Sequence, residues 1–209
     1  MSLSLALLAV LAGVVIAAAV TIRQLVDRLR TLERQVITDA LTGAFNRRYF
    51  NECLHTAIER HTRFGEPACL VLLDIDRFKE INDSLGHLAG DAVLKGLVVL
   101  VRRGVRTLDL LFRTGGEEFA LLLPGTSFHG ARELAEHLRA LVTAWRPIEG
   151  HTISISVGVS ELGRGESALE WIAEADRALY RAKRAGRNRV AGGEPKDATI
   201  TVMQEARRA

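Results

Sequence analysis

ACLVLLDID, at residues 68–76, is an unbroken apolar run that ends in two acids. It reads as a buried strand, and Asp74 and Asp76, two positions apart, share one of its faces while Ile75 turns to the other. A second stretch, RTGGEEF at residues 113–119, separates two further apolar strands, LDLLF and FALLLP. That pattern is a hairpin with a Gly-Gly corner. Apolar strands that end in paired like charges need a cationic partner where they emerge.

Outward from these two stretches the chain alternates. Periodicity predicts helix over 46–63, strand over 68–75, helix over 88–104, strands over 109–113 and 118–123, helix over 128–144, strand over 152–160 and helix over 167–186. With the first and last helices set aside, the order is βαββαβ. This is an α+β, ferredoxin-like arrangement, an antiparallel sheet backed by helices on one face. Its first strand and hairpin strands are neighbours, so the two pairs of acids, Asp74 and Asp76 with Glu117 and Glu118, can converge at one edge. Oxygen ligands of this kind, with room for substrate phosphates, suit Mg²⁺ better than zinc.

The 209 residues, 48% of them hydrophobic, hold one ordinary domain plus some forty residues, which excludes a multidomain enzyme. The formal net charge is +3, but aromatics are only 5%, which argues against a nucleic-acid polymer as partner. Cys53 and Cys69 have no His or Cys at metal-ligand spacing and read as reduced, free thiols.

Residues 1–22 carry no charged side chain. Twenty apolar residues from Leu3 to Ile22 span about 30 Å as a helix, which predicts one transmembrane segment. A cleaved signal peptide is the rival reading, favoured by Ala17, Ala18 and Ala19 but lacking a basic n-region. Arg23, Arg28, Arg30 and Arg34 all follow the apolar stretch, which places the remainder in the cytoplasm, on a single-pass anchor in the inner membrane. Ile22, Leu25, Leu29, Leu32 and Val36 recur at spacings of three and four, a short coiled-coil or amphipathic linker over 23–38. The catalytic-type domain is expected over 39–193, and a polar tail over 194–209.

RTGGEEF resembles the signature of the GGDEF family of diguanylate cyclases, and the likeness extends along the chain. DALTGAFNRR at 39–48, DIDRFKEINDSLGHLAGDAVL at 74–94 and ALYRAKRAGRN at 178–188 are similar to that family's other motifs. The resemblance implies condensation of two GTP into cyclic di-GMP, with pyrophosphate released twice, on a fold related to nucleotidyl cyclases and polymerase palms. It implies Mg²⁺, two ions per active site with Mn²⁺ able to substitute, held by Asp74, the Ile75 carbonyl, Glu117 and Glu118. Glu117 is also the candidate general base, though which glutamate has which task stays open.

By the same resemblance, Gly115 and Gly116 would let backbone amides lie against phosphates, and Lys79, Lys183 and Arg187 would bind them. Asn82 and Asp91 would read guanine, whose N1–H and 2-amino donors suit a carboxylate. His87 would brace that loop or touch ligand. Arg106 and Asp109 match the family's RxxD inhibitory product site, with His137 or Arg139 as a further contributor. One domain carries one GTP half-site, so a homodimer is implied, and the N-terminal helix would set it. The alternative is a catalytically inactive membrane receptor for cyclic di-GMP.

Overall fold

The computed structural model describes residues 11–26, 37–148 and 150–193. They belong to two units that divide between Thr38 and Asp39. In the first, residues 11–26 form a helix, α1, with Leu11, Val14, Val15 and Ile16 exposed. Among the described residues no helix is long and apolar enough to cross a membrane. The sixteen residues of α1 rise about 24 Å, short of a hydrocarbon core of about 30 Å. The expected span starts at Leu3, so part of it lies outside the described residues, as do most of the 23–38 linker and the 194–209 tail.

The second unit opens with a two-residue strand, β1 (Phe45–Asn46), that runs into α2 (Arg47–Phe64). The Asn46 side chain starts the helix by accepting from the Tyr49 amide, and Gly65, at φ 67°, ends it. Next come β2 (Ala68–Ile75), α3 (Phe78–Leu85), α4 (His87–Gly104) and the hairpin of β3 (Leu110–Arg113) and β4 (Glu118–Pro124). α5 (Phe128–Ala144), β5 (Ile155–Glu161), α6 (Ala168–Arg184) and β6 (Val190–Gly193) complete it.

The sheet order is β1-β3-β4-β2-β5-β6. Its four inner strands are antiparallel neighbours in the ferredoxin-like order, with β2 central. Two short strands pair in parallel at the rims, β1 on β3 and β6 on β5. Neither was expected from sequence, and β5 begins at Ile155 rather than 152. The helix expected over 88–104 is α4, and before it lies α3, which was not expected, the two divided at Gly86, whose φ is 82°.

Helices cover both faces of the sheet, not one. Alternation along β2 sends Val71, Leu73 and Ile75 into a core with Val93, Leu97, Leu138 and Val142 of α4 and α5. Leu70 enters a second core with Phe50, Leu54 and Trp171 of α2 and α6, and Asp74 is the last residue of this series. Burial of apolar area on both sides, at about 25 cal/mol per Å², is why β2 has no polar residue before Asp74. Trp171 is fully buried and donates its indole N–H to the Ser160 carbonyl at 3.2 Å. A capping box between Ser167 and Glu170 starts α6.

Candidate active site

Asp74 ends β2 on the face covered by α6. Its register partner on β4 is Glu118, and its partner on β5 is Ser156. From above, Lys183 in the last turn of α6 brings its Nζ to 2.7 Å from Asp74 Oδ2. The Asp74 side chain is 8% exposed. Burial pushes its carboxyl above the ordinary range; Lys183 opposes that, and Glu118 and Asp76 add to it. Glu117 is raised too, first by burial and then by the Asp74 charge, with Lys183 opposing and Glu118 reinforcing. The Ile75 amide donates to the Glu117 carbonyl at 3.4 Å, which ties the hairpin to the end of β2. The sequence-predicted cluster of Asp74, Ile75, Glu117, Glu118 and Lys183 is therefore assembled in one place.

The two corner glycines have different reasons to be glycine. A Cβ on Gly115 would stand 2.4 Å from Glu118 Oε2, so Gly115 makes room for that carboxylate. A Cβ on Gly116 would meet nothing within 4 Å, and its φ is not in the left-handed region. Nothing in the fold demands glycine at 116.

Arg113 holds this corner. Its Nη2 and Nε donate to the Gly116 carbonyl at 2.7 and 3.1 Å, and its Nη1 donates to Asp39 Oδ1 at 3.0 Å. Asp39 also accepts from the Thr42 hydroxyl at 2.6 Å and the Thr42 amide at 2.9 Å. Burial pushes the Asp39 carboxyl up, but the Thr42 bonds and the Arg113 guanidinium outweigh it and hold it below the ordinary range. Arg113 was not singled out from sequence, where it is only the first letter of RTGGEEF.

Asn82 lies on α3 and Asp91 on α4. A Cβ on Gly90 would stand 2.0 Å from Asn82 Oδ1, so Asn82 rests against the residue that precedes Asp91. Gly90 is a second position that sequence reading missed. Lys79 and His87 are exposed at the starts of the same two helices. Arg187 is exposed on the loop after α6.

The Arg106–Asp109 segment is a turn before β3. Asp109 Oδ2 accepts from the Arg106 amide at 2.8 Å, and the Asp109 amide donates to the Arg106 carbonyl at 3.1 Å. The carboxylate thus caps its own turn, and the exposed Arg106 guanidinium has no ion pair among the described residues. Of the two further candidates there, Arg139 is engaged by Glu136 at 2.8 Å and by Asn188 at 3.0 Å. Cys69 is buried and Cys53 half-buried, both free, and burial raises both thiols.

The family profile described as "Diguanylate cyclase, GGDEF domain" matches residues 36–189. The chain belongs to the GGDEF family. Diguanylate cyclase DgcP of Pseudomonas aeruginosa is 44% identical over 167 residues, which is 78% of this chain and 25% of that protein. Response regulator PleD of Caulobacter vibrioides is 40% identical over 162 residues, 75% of this chain and 36% of that protein. The chain thus spans about a quarter to a third of the length of these two relatives. Among solved structures, the coiled coil and GGDEF domain of DgcB from Caulobacter crescentus, in complex with c-di-GMP, superposes with a TM-score of 0.79. That match has 31% identity and covers 88% of this chain and 99% of that one. The active GGEEF domain of a Vibrio cholerae diguanylate cyclase superposes at 0.68, with 35% identity, over 73% of this chain and 98% of that one.

The GGDEF donor set fits a divalent cation in its chemistry. Two carboxyls are held above their ordinary range, Asp74 by burial with Glu118 and Asp76 adding to it, and Glu117 by burial and then by the Asp74 charge, a state that a cation would relieve. Among the described residues no three Asp, Glu, His or Cys side chains stand close enough together to hold a metal ion by themselves.

Proposed function

We propose that the protein condenses two molecules of GTP into cyclic di-GMP, as a homodimer in which each domain presents one GTP half-site to the other. The observation that carries this reading is the convergence of Asp74, Glu117, Glu118 and Lys183 beside an unobstructed Gly116. Each 3′-hydroxyl forms an ester bond to the α-phosphorus of the opposite nucleotide, the bond from that phosphorus to the bridging oxygen breaks, and pyrophosphate leaves with that oxygen. Glu117, whose proton affinity is raised, accepts the hydroxyl proton. Mg²⁺ or Mn²⁺ on Asp74, the Ile75 carbonyl, Glu117 and Glu118 would lower the barrier by stabilising charge on the attacking oxygen and the triphosphate.

The other residues position the substrate. Lys79, Lys183 and Arg187 take the outer phosphates, and the Gly115–Gly116 backbone lies against them. Asn82 and Asp91 read the guanine edge, which adenine does not match. Arg106 and Asp109 bind product, the arginine reaching O6 and N7 of guanine. The apolar N-terminal segment anchors the chain in the inner membrane with the domain on the cytoplasmic side, and the 23–38 linker pairs two copies.

The test is nucleotide turnover by the purified full chain with GTP or ATP and Mg²⁺, with a cyclic di-GMP phosphodiesterase added to remove product, beside Glu117→Gln. Cyclic di-GMP from GTP alone, lost in the variant, supports the reading. A dimeric sample that binds cyclic di-GMP yet turns over no GTP refutes it in favour of a receptor.

A further inference from the structure

Asp74 and Asp76 emerge on the same face, but the fold employs them differently. Asp74 meets Lys183 and looks across to Glu118. Asp76, 8% exposed, lies one residue past the end of β2 and still donates its amide to the Ser154 carbonyl at 3.0 Å. Both of its carboxylate oxygens are taken. Oδ1 accepts from the Ser156 hydroxyl at 2.6 Å, while Oδ2 accepts from the Ser154 hydroxyl at 2.7 Å and from the Asn188 amide at 3.0 Å.

The last of these bonds reaches the loop after α6. There Gly186, Arg187 and Asn188 have φ of 115°, 62° and 44°, three successive residues at positive φ of which two are not glycine. Backbone of this kind persists only where its surroundings over-determine it. The Arg187 amide donates to the Ala182 carbonyl at 3.1 Å, and the Arg189 carbonyl accepts from the Val157 amide of β5 at 2.9 Å. Asn188 Oδ1 accepts from Arg139 Nη1 at 3.0 Å and from the Thr143 hydroxyl at 3.1 Å, both on α5. The Asp76 carboxylate links this loop to the end of β2, two residues from Asp74.

We infer that Asp76 is a positioning residue: its buried carboxylate fixes the left-handed 186–188 loop, and so aims the exposed Arg187 guanidinium at the phosphate chain of a nucleotide seated at Asp74. It is not a ligand for a cation, because its oxygens are already committed to two hydroxyls and an amide. The inference rests on the proposed GTP reading. An asparagine cannot replace the carboxylate without loss, since its NH₂ would have to face at least one of the three donors.

The experiment is a double-mutant cycle on the full chain with Asp76→Asn, Arg187→Ala and the double variant. Binding is measured with three probes in Mg²⁺: inorganic tripolyphosphate, a GTP analogue with a methylene between the α and β phosphates, and GMP. Asp76→Asn should weaken tripolyphosphate and the triphosphate analogue by about tenfold and leave GMP within about twofold. In the Arg187→Ala background the same change should cost less than about twofold, because its route of action is already gone. Ser154→Ala, which leaves the carboxylate in place, should give a smaller loss in the same direction and serves if Asp76→Asn does not fold.

Equal losses with and without Arg187 would overturn the inference, as would a loss of GMP binding that matches the loss of the analogue. A non-additive cycle for tripolyphosphate with no preference for the guanine analogue would leave Asp76 as the positioning residue and overturn GTP as the substrate.

Discussion

Gly158→Ala should unseat α6 from the sheet. Gly158 sits in the middle of β5 opposite Leu72, on the face that α6 covers. A Cβ there would lie 2.3 Å from the Ala175 carbonyl oxygen, 2.4 Å from the Leu179 nitrogen and 2.9 Å from the Leu179 Cα. All three are backbone atoms, so no side chain can swing aside; ordinary contact begins at 3.4 Å, and the helix must retreat by about 1 Å. Overpacking against a deformable core costs about 1–3 kcal/mol, and a rigid obstacle puts this case at about 3. For a domain of this size that lowers Tm by about 6–12 °C. Lys183 lies one turn beyond Leu179, so its 2.7 Å contact with Asp74 should loosen and turnover fall with stability. Gly116→Ala is the contrast, because nothing stands within 4 Å of its Cβ. Tm should then stay within about 1 °C while turnover drops at least tenfold, as expected where a ligand and not the fold requires glycine. Thermal melts and GTP turnover on the three proteins decide the matter. A Gly158→Ala protein that melts within about 2 °C of the parent would refute the argument that α6 rests backbone to backbone on β5.

Glu117→Gln should abolish turnover and also flatten the pH dependence of stability. A carboxyl raised by burial and by Asp74 binds its proton more tightly in the folded state, so stability falls as pH rises from the ordinary carboxylate range through the raised value. Melts of metal-free protein between about pH 4 and 7 should show a shallower decline in the variant, and Mg²⁺ should raise Tm near neutrality more in the parent. Arg113→Lys keeps the charge but not the fork that holds both Asp39 and Gly116. It should cost about 1–3 kcal/mol in denaturant unfolding and lower kcat, and an unchanged kcat would sink the idea that Arg113 sets the corner. Arg106→Ala should leave the fold intact, since Asp109 is bonded to the backbone of Arg106, and should weaken inhibition by added cyclic di-GMP at least tenfold. A thiol-labelling time course on native protein should modify Cys53 slowly and Cys69 not at all; equal rates would contradict the burial of Cys69.

The inner four strands were legible because each is apolar, of ordinary length and bounded by turn residues. β1 was not, because two residues carry no period, and β6 was not, because VAGG has too few side chains to show one. α3 has only Phe78 and Ile81 on its buried side, and its eight residues break at Gly86 before a helical pattern accumulates. The acids could be found because paired carboxylates at the ends of apolar strands are conspicuous. The distinct roles of Asp74 and Asp76 could not, since both share a face and only their neighbours differ. Asp74 lies between Glu118 and Lys183, while Asp76 lies among serines. Arg113 and Gly90 were missed for a related reason: each serves another residue, at Gly116 and Asn82, through a contact that no spacing reveals.

The strand order places β1 and β6 on opposite rims of the sheet. With strands about 4.8 Å apart, five intervals separate Phe45 on β1 from Gly193 on β6 by about 24 Å. A circularly permuted version of this domain would therefore need a bridge of at least seven or so extended residues across the sheet. Each rim strand also closes the hydrogen-bonding edge of its neighbour while being too short to recruit another chain. Removal of the four residues of β6 should uncover the edge of β5, and the result would be self-association through exposed backbone and not merely a lower Tm.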